Sequence, residues 1–209
     1  DIFINSSTPS FNLPIMNLAL KYNTNYADLA SDIYKDEIIS TLKFDQQILE
    51  NEFKYQNLFA LINLGISPGI TNFLIGEKIH SLKNLPYEVK IKKLEINLLE
   101  EIQSKKLIFS WSPKVAIDEL AFPPVFYKKN RPKTIEPFSK SKVYKFPYFR
   151  NIVDIYPVFQ EELISLKQSF PQIENLKLFV GGSEIELMKN LYQLNLFSNK
   201  YCYENSDSK

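Results

Sequence analysis

Apolar and polar residues follow two patterns over the first 82 positions: short apolar runs and helical spacing. Short apolar runs at residues 1–4, 26–30 and 58–64 each end in polar or Gly/Pro-rich residues, as is typical of buried parallel strands that lead into loops. Apolar residues with helical spacing lie between these runs, over residues 10–22 and 34–55. Strand, helix, strand, helix, strand in this order predicts a parallel sheet with crossover helices.

After Leu82 the pattern changes to imperfect alternation and aromatic, Pro-rich segments. We predict strands over residues 88–98, 152–158 and 176–180, two or three more between 125 and 147, and helices over 114–120, 159–170 and from Ser183 onward. The segment Ser183–Glu186 has the form of a capping box. The chain therefore divides into parallel α/β (residues 1–68), mixed α+β (69–199) and a polar tail (200–209), with a ligand cleft expected between the first two.

The turn Gly65–Gly69 joins the third strand to the helix that begins at Ile70. In α/β folds ligands bind outside the carboxyl ends of strands, where free N–H groups of the next helix face them. Gly69 would let the backbone approach such a ligand. Ile70, Phe73 and Leu74 and, less regularly, Ile79 and Leu82 predict a helix with one apolar stripe. The alternative is an ordinary turn that binds nothing.

A second polar loop, Asn5–Pro9, follows the first strand and should lie at the same sheet edge. Ser10 or Asn12 is expected to cap the helix after it. Asp28, in the second strand, should also lie near that edge, and either a functional role or a role as a cap fits its position.

Composition excludes several function classes. With 25 basic and 24 acidic residues the chain has a net charge of +1, which gives no electrostatic case for nucleic acid. The single cysteine, Cys202, excludes an internal disulfide and a cysteine-based zinc site, and the single histidine, His80, is expected on the surface of a helix end. No run is long enough to span a bilayer and no leader opens the chain, so we expect neither membrane insertion nor secretion.

Two residues of the second region have both a functional and a structural interpretation. Trp111, the only tryptophan, is either a core aromatic or a stacking surface for a flat ligand. Lys114 lies at a helix start, where the macrodipole disfavours a cation. It therefore either binds an anion or is a solvated surface lysine. The chain contains no glycine fingerprint, P-loop, HExxH or GxSxG motif.

The ordered motifs nevertheless resemble the saccharopine dehydrogenase-like family, which includes saccharopine reductases and carboxynorspermidine dehydrogenases. The resemblance extends over nearly the whole chain and rests on DIFIN at residues 1–5, LPIM at 13–16, YADLA at 26–30, GISPGITN at 65–72, FSWSP at 109–113, and Gly181-Gly182 before the closing helix. It implies the C-terminal half of a Rossmann-like parallel sheet, followed by a mixed α+β substrate and dimerisation domain.

The resemblance also implies chemistry: hydride transfer between NAD or NADP and the C–N bond of a secondary amine or imine in an amino-acid or polyamine conjugate. Carried over to this chain, the cofactor would be bordered by Asn5, Ser6, Ser7, Pro9, Pro68 and Gly69. The substrate would be faced by Asp28 and Lys114 as catalytic residues and by Asn72 and Trp111 as binding residues.

Further expectations follow from the same resemblance. We expect a cytoplasmic homodimer that acts on a small molecule, with the glycine fingerprint located upstream of Asp1 in a longer parent and with weak dinucleotide binding by this chain alone. Two alternatives stay open: a saccharopine dehydrogenase-like scaffold that has lost catalysis and binds other proteins, and a plain α/β ligand-binding module.

Overall fold

The computed structural model describes residues 1–31, 44–104, 108–109 and 112–197, apart from the side chain of Asp118. The helices are α1 (Asn12–Lys21), α2 (Glu50–Tyr55), α3 (Ile70–Lys83), α4 (Pro113–Ala121), α5 (Glu162–Ser169) and α6 (Ser183–Gln193), with short 3-10 helices at Pro9–Phe11 and Asp45–Leu49. The strands are β1 (Ile2–Asn5), β2 (Asn25–Asp28), β3 (Ala60–Leu61), β4 (Lys93–Leu99), β5 (Val125–Lys128), β6 (Arg131–Thr134), β7 (Lys142–Lys145), β8 (Ile152–Pro157) and β9 (Asn175–Gly181).

The first sheet is parallel and has the order β1-β2-β3. Its register pairs Asn5 with Asp28 at the carboxyl ends of β1 and β2, so the loops that follow these strands begin side by side. Helix α1 covers the sheet through a cluster in which Met16, Ala19 and Tyr26 are almost fully buried. The parallel α/β start of the chain is as the sequence predicts.

The second sheet has six strands and mixed pairing. Strand β9 pairs in parallel with β4 along its whole length, and its other pairings, with β5 and β8, are antiparallel. Two antiparallel hairpin-like pairs, β5 with β6 and β7 with β8, complete the sheet. Fourteen buried residues, including Leu176 and Met188, form its core. The fold is therefore α/β with a parallel sheet followed by a mixed α+β layer, in agreement with the sequence-based fold class.

The third strand is much shorter than the apolar run at 58–64 predicts. Only Ala60 and Leu61 pair with β2. Past them, the N–H of Asn63 bonds to the carboxylate of Asp28 at 2.8 Å, and the N–H of Leu64 bonds to the backbone oxygen of Asp28 at 2.9 Å. Because a side chain of β2 takes over part of the ladder, the backbone leaves the sheet early.

The apolar stripe predicted for α3 is buried at Ile79 but exposed over the first turns of the helix. Ile70, Phe73 and Leu74 are 54%, 71% and 57% exposed, whereas Ile79 is buried and Ile75 packs partly buried against the same core. The helix runs where predicted, but its packing on α5 buries the face that carries Ile75 and Ile79, of which Ile79 belongs to the predicted stripe. Periodicity in the sequence did not distinguish the two faces, since both carry apolar residues.

Two predicted helix caps are also wrong. Helix α1 begins after Phe11 without a side-chain cap, and Asn12 instead uses its side chain inside the protein, as described below. Helix α6 begins after Gly182, and the hydroxyl of Ser183 bonds to the N–H of Ile102 at 2.9 Å rather than to the helix backbone. Both side chains, of Asn12 and Ser183, therefore bond to groups distant in sequence instead of capping their helices.

Part of the predicted helix at 34–55 and the whole tail at 200–209 lie outside the described residues. In the described part of the predicted helix, residues 44–55, Asp45–Leu49 is a 3-10 helix and only Glu50–Tyr55 is α-helical. The domain division after residue 68 stays a prediction. Over the described ranges, no helix combines the length and the apolar character needed to cross a bilayer.

Candidate functional site

A cavity of about 610 Å³ lies at the carboxyl ends of the three parallel strands. Each strand contributes its following loop: Ser6–Thr8 after β1, Leu29–Ala30 after β2, and Gly65–Ser67 after β3. Strand order alone brings these loops together, because parallel strands present their carboxyl ends at one edge. The volume is in the range of small-molecule sites.

The opposite wall of the cavity belongs to the second sheet and its helices. Apolar side chains of this wall sit beside carboxyl groups, which gives the cavity a mixed character. Its members are Glu100, Ser112, Ala116, Glu119, Leu120, Val158, Gln160, Val180, Glu184 and Ile185. A cleft between the two sheets is where the sequence predicts the ligand site.

The turn at Gly65–Gly69 is built differently from the sequence-based expectation. The N–H of Ile70 bonds to the oxygen of Gly65 at 2.9 Å, and the N–H of Thr71 bonds to the oxygen of Ile66 at 3.1 Å. These two N–H groups at the start of α3 are thus occupied by the turn itself and do not face a ligand. Gly65, Ile66 and Ser67 line the cavity, whereas Pro68 and Gly69 are not part of its lining.

Gly69 is required by its own backbone. Its φ is +135°, and a Cβ there would lie 2.1 Å from the oxygen of Gly65. The glycine therefore allows two backbone segments of the turn to meet. Gly69 was expected to make room for a ligand, but the group that approaches it closely is the backbone of Gly65.

The loop after β1 is held by Asn5, which is 1% exposed. Its Nδ2 donates to Asn12 Oδ1 at 2.7 Å, and its Oδ1 accepts from the N–H of Ser7 at 3.0 Å. Asn12 in turn donates to the backbone oxygen of Ala30 at 2.8 Å, which ties the loop after β1 to the loop after β2. Asn5 thus positions Ser6 and Ser7 at the cavity, while Pro9 lines a neighbouring one.

Asp28 is 1% exposed and lines neither cavity. Its Oδ1 accepts from the N–H of Asn63 at 2.8 Å and its Oδ2 from Gln46 Nε2 at 3.0 Å. Burial raises the pKa of the Asp28 carboxyl, and these hydrogen bonds act in the opposite direction. Through these contacts Asp28 joins three segments of the first region. They favour a structural role for Asp28 over a role in catalysis.

The three remaining predicted substrate residues are Asn72, Trp111 and Lys114. Asn72 accepts from the N–H of Gly69 at 3.4 Å and donates to Ser165 Oγ at 2.6 Å, so it links α3 to α5 and does not reach the cavity. Trp111 lies outside the described residues. Lys114 is exposed at the start of α4 and lines the neighbouring cavity.

That neighbouring cavity has a volume of about 390 Å³ and shares Thr8, Ser112 and Glu119 with the first. Its other described lining residues include Lys114, the only basic side chain in the lining of either of these two cavities. The two cavities therefore adjoin, and both are lined by carboxyl groups: Glu100, Glu119 and Glu184 in the larger, and Glu119 and Glu161 beside Lys114 in the smaller.

The acidic character of the larger cavity is produced by strand pairing. Strands β4 and β9 are parallel and end in register at Leu99 and Gly181. The N–H of Glu100 then bonds to the oxygen of Gly181 at 2.8 Å, and a Cβ on Gly182 would lie 2.0 Å from the oxygen of Glu100. Only glycine at position 182 permits this approach, which brings Glu100 and the first turn of α6, with Glu184, to the same place.

A third glutamate, Glu162, opens α5 and is 0% exposed. One of its oxygens, Oε1, forms a short hydrogen bond with the hydroxyl of Ser67, which lines the cavity. Ser67 Oγ also lies 3.0 Å from Gln160 Oε1. A hydroxyl has a single hydrogen to donate, so a protonated Glu162 would complete both contacts.

The three glutamates interact electrostatically. Burial, together with the nearby charges of Glu184 and Glu162, raises the pKa of Glu100 to about 7. Burial also raises the pKa of Glu162, against the effect of the Ser67 hydrogen bond. Carboxyl groups so placed resist simultaneous ionisation without a cation.

The sequence does not predict this carboxyl cluster. Glu100 belongs to a stretch that reads as a charged loop, and Glu184 and Glu162 lie in helical first turns, where acidic residues are ordinary. The available signal was positional: Glu100 directly follows one strand and Glu184 follows Gly181-Gly182 after another. That signal becomes informative only when the two strands are known to be parallel neighbours.

The residues of the larger cavity fit one end of a nicotinamide cofactor. Uncharged hydroxyls of Ser6, Ser7 and Thr8 beside Leu29 and Ile66 suit a carboxamide and a flat ring. Its described lining contains no lysine or arginine to pair with phosphates. Across the described residues, no group of three or more His, Cys, Asp or Glu side chains is arranged to hold a metal ion.

Comparison with known proteins gave one informative kind of match. No family model matches the chain, and no curated protein matches it. Among solved structures, it is similar to the apo histidine-tagged saccharopine dehydrogenase (L-Glu forming) from Saccharomyces cerevisiae, with a TM-score of 0.67 and 17% sequence identity. The match covers 95% of this chain and 44% of the yeast chain. The chain therefore has a saccharopine dehydrogenase-like fold.

Proposed function

We propose that residues 1–209 are part of an NAD(P)-dependent oxidoreductase that acts on the C–N bond of a secondary amine or imine in an amino-acid or polyamine conjugate. The observation that carries the proposal is the cavity of about 610 Å³ at the carboxyl ends of β1, β2 and β3, within a saccharopine dehydrogenase-like fold. The two loops predicted to border the cofactor, after β1 and β3, meet in this one cavity.

When bound, the nicotinamide would supply or accept a hydride at the carbon of the C–N bond. In the reducing direction the C=N double bond becomes a single bond and the nitrogen gains a proton, which hydroxyl or carboxyl groups of the cavity can deliver. Ser6, Ser7 and Ser67 would orient the ring and the substrate, and the apolar wall around Val158 and Val180 would exclude water from the reacting atoms.

Lys114 lines the smaller cavity, which supports the proposal that it contacts the ligand as a catalytic residue. We expect Lys114→Ala in the natural full-length protein to lower kcat/KM roughly 100-fold, the usual loss when a positioned acid–base or charged group is removed. The measurement is the rate at which nicotinamide absorbance is lost with a panel of amine and keto-acid pairs. Lys78→Ala, on the exposed side of α3, is the matched control.

Cofactor binding is tested separately by titrating NADH and NADPH while following energy transfer from Trp111, the only tryptophan of this chain. The parallel titration uses the natural full-length protein. Binding by the full-length protein supports the proposal. Absence of binding to either cofactor would contradict it.

A catalytically inactive scaffold is the second candidate function, favoured by the structural engagement of Asp28 and Asn72. In that case Lys114→Ala leaves the biological role of the protein intact. A homodimer is proposed for either candidate, on the similarity alone, and sedimentation equilibrium tests it.

A further inference from the structure

We propose that Ser67 and Glu162 form a proton-donating pair at the wall of the larger cavity, in which buried Glu162 holds a proton and passes it through the Ser67 hydroxyl to the nitrogen of a bound substrate. This inference rests on the proposed function and deepens it, because it names the group that supplies the proton when a C=N bond is reduced. Ser67 is the catalytic residue that touches the substrate, and Glu162 is a positioning residue that acts through it.

The first observation is the placement of the two residues. Ser67 lines the larger cavity, and Glu162 opens α5. Ser67 Oγ forms a hydrogen bond with Glu162 Oε1, and it also lies 3.0 Å from Oε1 of Gln160, another residue of the cavity lining. The Ser67 hydroxyl therefore connects the cavity wall to a carboxyl group that solvent does not reach.

The second observation is that the surroundings of Glu162 suit a neutral acid. It is 0% exposed, its Oε2 has no hydrogen-bond partner, and no lysine or arginine of the described residues pairs with it. An ionised carboxylate in this position would be a buried charge without compensation, which is strongly unfavourable. A proton on Oε1 has Ser67 Oγ as its acceptor, so the neutral acid fits the contact that is present.

The titratable groups around Glu162 act in the same direction. Glu100, which follows β4, interacts with it electrostatically, and Glu184 in the first turn of α6 acts on Glu100. Glu161 precedes it in the chain, and the turn Gly65–Gly69 carries no ionisable side chain. Burial raises the pKa of the Glu162 carboxyl, against the effect of its side-chain hydrogen bond. Burial and acidic neighbours together keep the proton on Glu162 at neutral pH.

In the reducing direction the step balances without a further reactant. The substrate carbon receives the hydride of the nicotinamide, and the electron pair of the C=N π bond forms a new N–H bond with the proton of the Ser67 hydroxyl. Ser67 Oγ takes the proton of Glu162, which is left as a carboxylate and regains a proton from solvent after product release. In the oxidising direction the same two groups accept the proton.

Carbon-13 NMR of the 209-residue chain, labelled at the glutamate carboxyl carbons, tests the protonation state without cofactor or turnover. The signal that is missing from Glu162→Gln identifies Glu162. Glu77→Gln, on the exposed side of α3, is the control and should keep that signal. At pH 7 the Glu162 carbon should have the chemical shift of a protonated acid, and the shift of an ionised carboxylate would overturn the proposal.

Kinetics of the natural full-length protein test the transfer itself. Ser67→Ala should lower kcat by roughly tenfold or more with little change in KM, and Ser67→Thr, which restores a hydroxyl, should recover most of the loss. Glu162→Gln has the shape and charge of the neutral acid but no acidic proton. It should stay folded by circular dichroism, and its kcat should no longer fall at the pH where the parent loses the Glu162 proton. A kcat of folded Ser67→Ala equal to that of the parent would overturn the proposal.

The outcome is separable from that of the proposed function. An ionised Glu162, or an unimpaired Ser67→Ala, in a protein that transfers hydride would refute the proton-donating pair and leave the oxidoreductase proposal standing. A protonated Glu162 in a protein that transfers hydride with neither cofactor would contradict the oxidoreductase proposal and, with it, the proton transfer to a substrate.

Discussion

Two glycines on either side of the start of α3 differ sharply in what they permit. Gly69 has a φ of +135°, and a Cβ there would lie 2.1 Å from the oxygen of Gly65. Gly76 lies within α3, and its Cβ would meet only Phe170 Cζ, at 3.9 Å. The first position needs glycine for the turn, whereas the second accepts a side chain.

We therefore predict opposite effects of the same substitution on stability. Gly69→Ala should lower the free energy of unfolding by about 2 kcal/mol or more, from backbone strain and the clash in the turn. Gly76→Ala should leave it unchanged or raise it by up to about 1 kcal/mol, because alanine favours the helix. Urea unfolding measures both. Equal stability of the two variants would contradict this view of the turn.

Glu100 makes the stability of the protein depend on pH. Its pKa rises from the ordinary 4.5 to about 7 on folding, so the folded state holds a proton that the unfolded state has already lost. Its contribution to stability is complete below about pH 4.5 and is lost as the pH rises through about 7. Glu162, also with a raised pKa, acts in the same direction.

Glu100→Gln should accordingly flatten the fall in stability between about pH 5 and about pH 8. At the upper end the variant should be more stable than the parent by on the order of 2–3 kcal/mol, from 1.36 kcal/mol for each pKa unit. Thermal or urea unfolding across this pH range is the measurement, with Glu77→Gln, on the exposed side of α3, as the control. A pH profile identical to that of the parent would contradict the burial of an ionisable Glu100.

At the scale of elements, Asp28 links the end of β2 to the backbone after β3 and to the 3-10 helix that contains Gln46. Asp28→Ala should lower the free energy of unfolding by about 2–4 kcal/mol, because the N–H of Asn63 and the amide of Gln46 lose a buried acceptor. Asp154→Ala, on the exposed side of β8, is the control and should change little.

The same variant separates the two interpretations of Asp28. A structural residue predicts lost stability with near-normal kcat/KM at temperatures where the variant is folded. A catalytic role predicts near-normal stability with a large loss of kcat/KM. If Asp28→Ala is as stable as the parent, the structural role of Asp28 is contradicted.

Hydrophobic pattern located most elements but not their faces or lengths. Strands β1, β2, β8 and β9 and helices α3 and α4 lie close to their predicted positions. Strand β3 ends early because the Asp28 carboxylate competes for its backbone, and α3 buries Ile79 of its predicted stripe but leaves Phe73 exposed. Both differences depend on partners distant in sequence, which periodicity does not contain.

At the scale of the whole molecule, the two sheets share a core cluster. Phe44, Val125, Phe159 and Ile164 are buried together, with Ile62 packed against them. Phe44 and Ile62 come from the first predicted region, and the other three from the second. Residues 1–68 therefore complete part of their core with residues from beyond the predicted boundary.

Phe159→Ala should lower the free energy of unfolding by about 3–5 kcal/mol, the usual cost of deleting a buried phenylalanine ring. Loss of its ring contact with Phe122, at 5.5 Å between centroids, adds to the effect. Circular dichroism and Trp111 fluorescence should report one common unfolding transition for the parent. Tyr148→Ala, at a fully exposed site, is the control, and two separate parental transitions would contradict a shared core.

The sequence by itself determined the class of fold, the order of most elements and the sheet edge at which a ligand would lie. Local patterns suffice for this, because side-chain period, glycine and proline placement, and the parallel direction of β1, β2 and β3 are all encoded over short distances. The same patterns placed the loop after β1 and the turn after β3 on one edge, where Ser6, Ser7 and Ser67 line one cavity.

Only the tertiary structure decided which side chains face that cavity. Asp28 and Asn72 were predicted to face a substrate, yet distant partners engage them. Glu100 and Glu184 were not among the predicted site residues, yet the parallel pairing of β4 with β9 brings them together. The reason is physical: charge and burial at a site are set by neighbours some 80 residues apart in the chain, which no local pattern records.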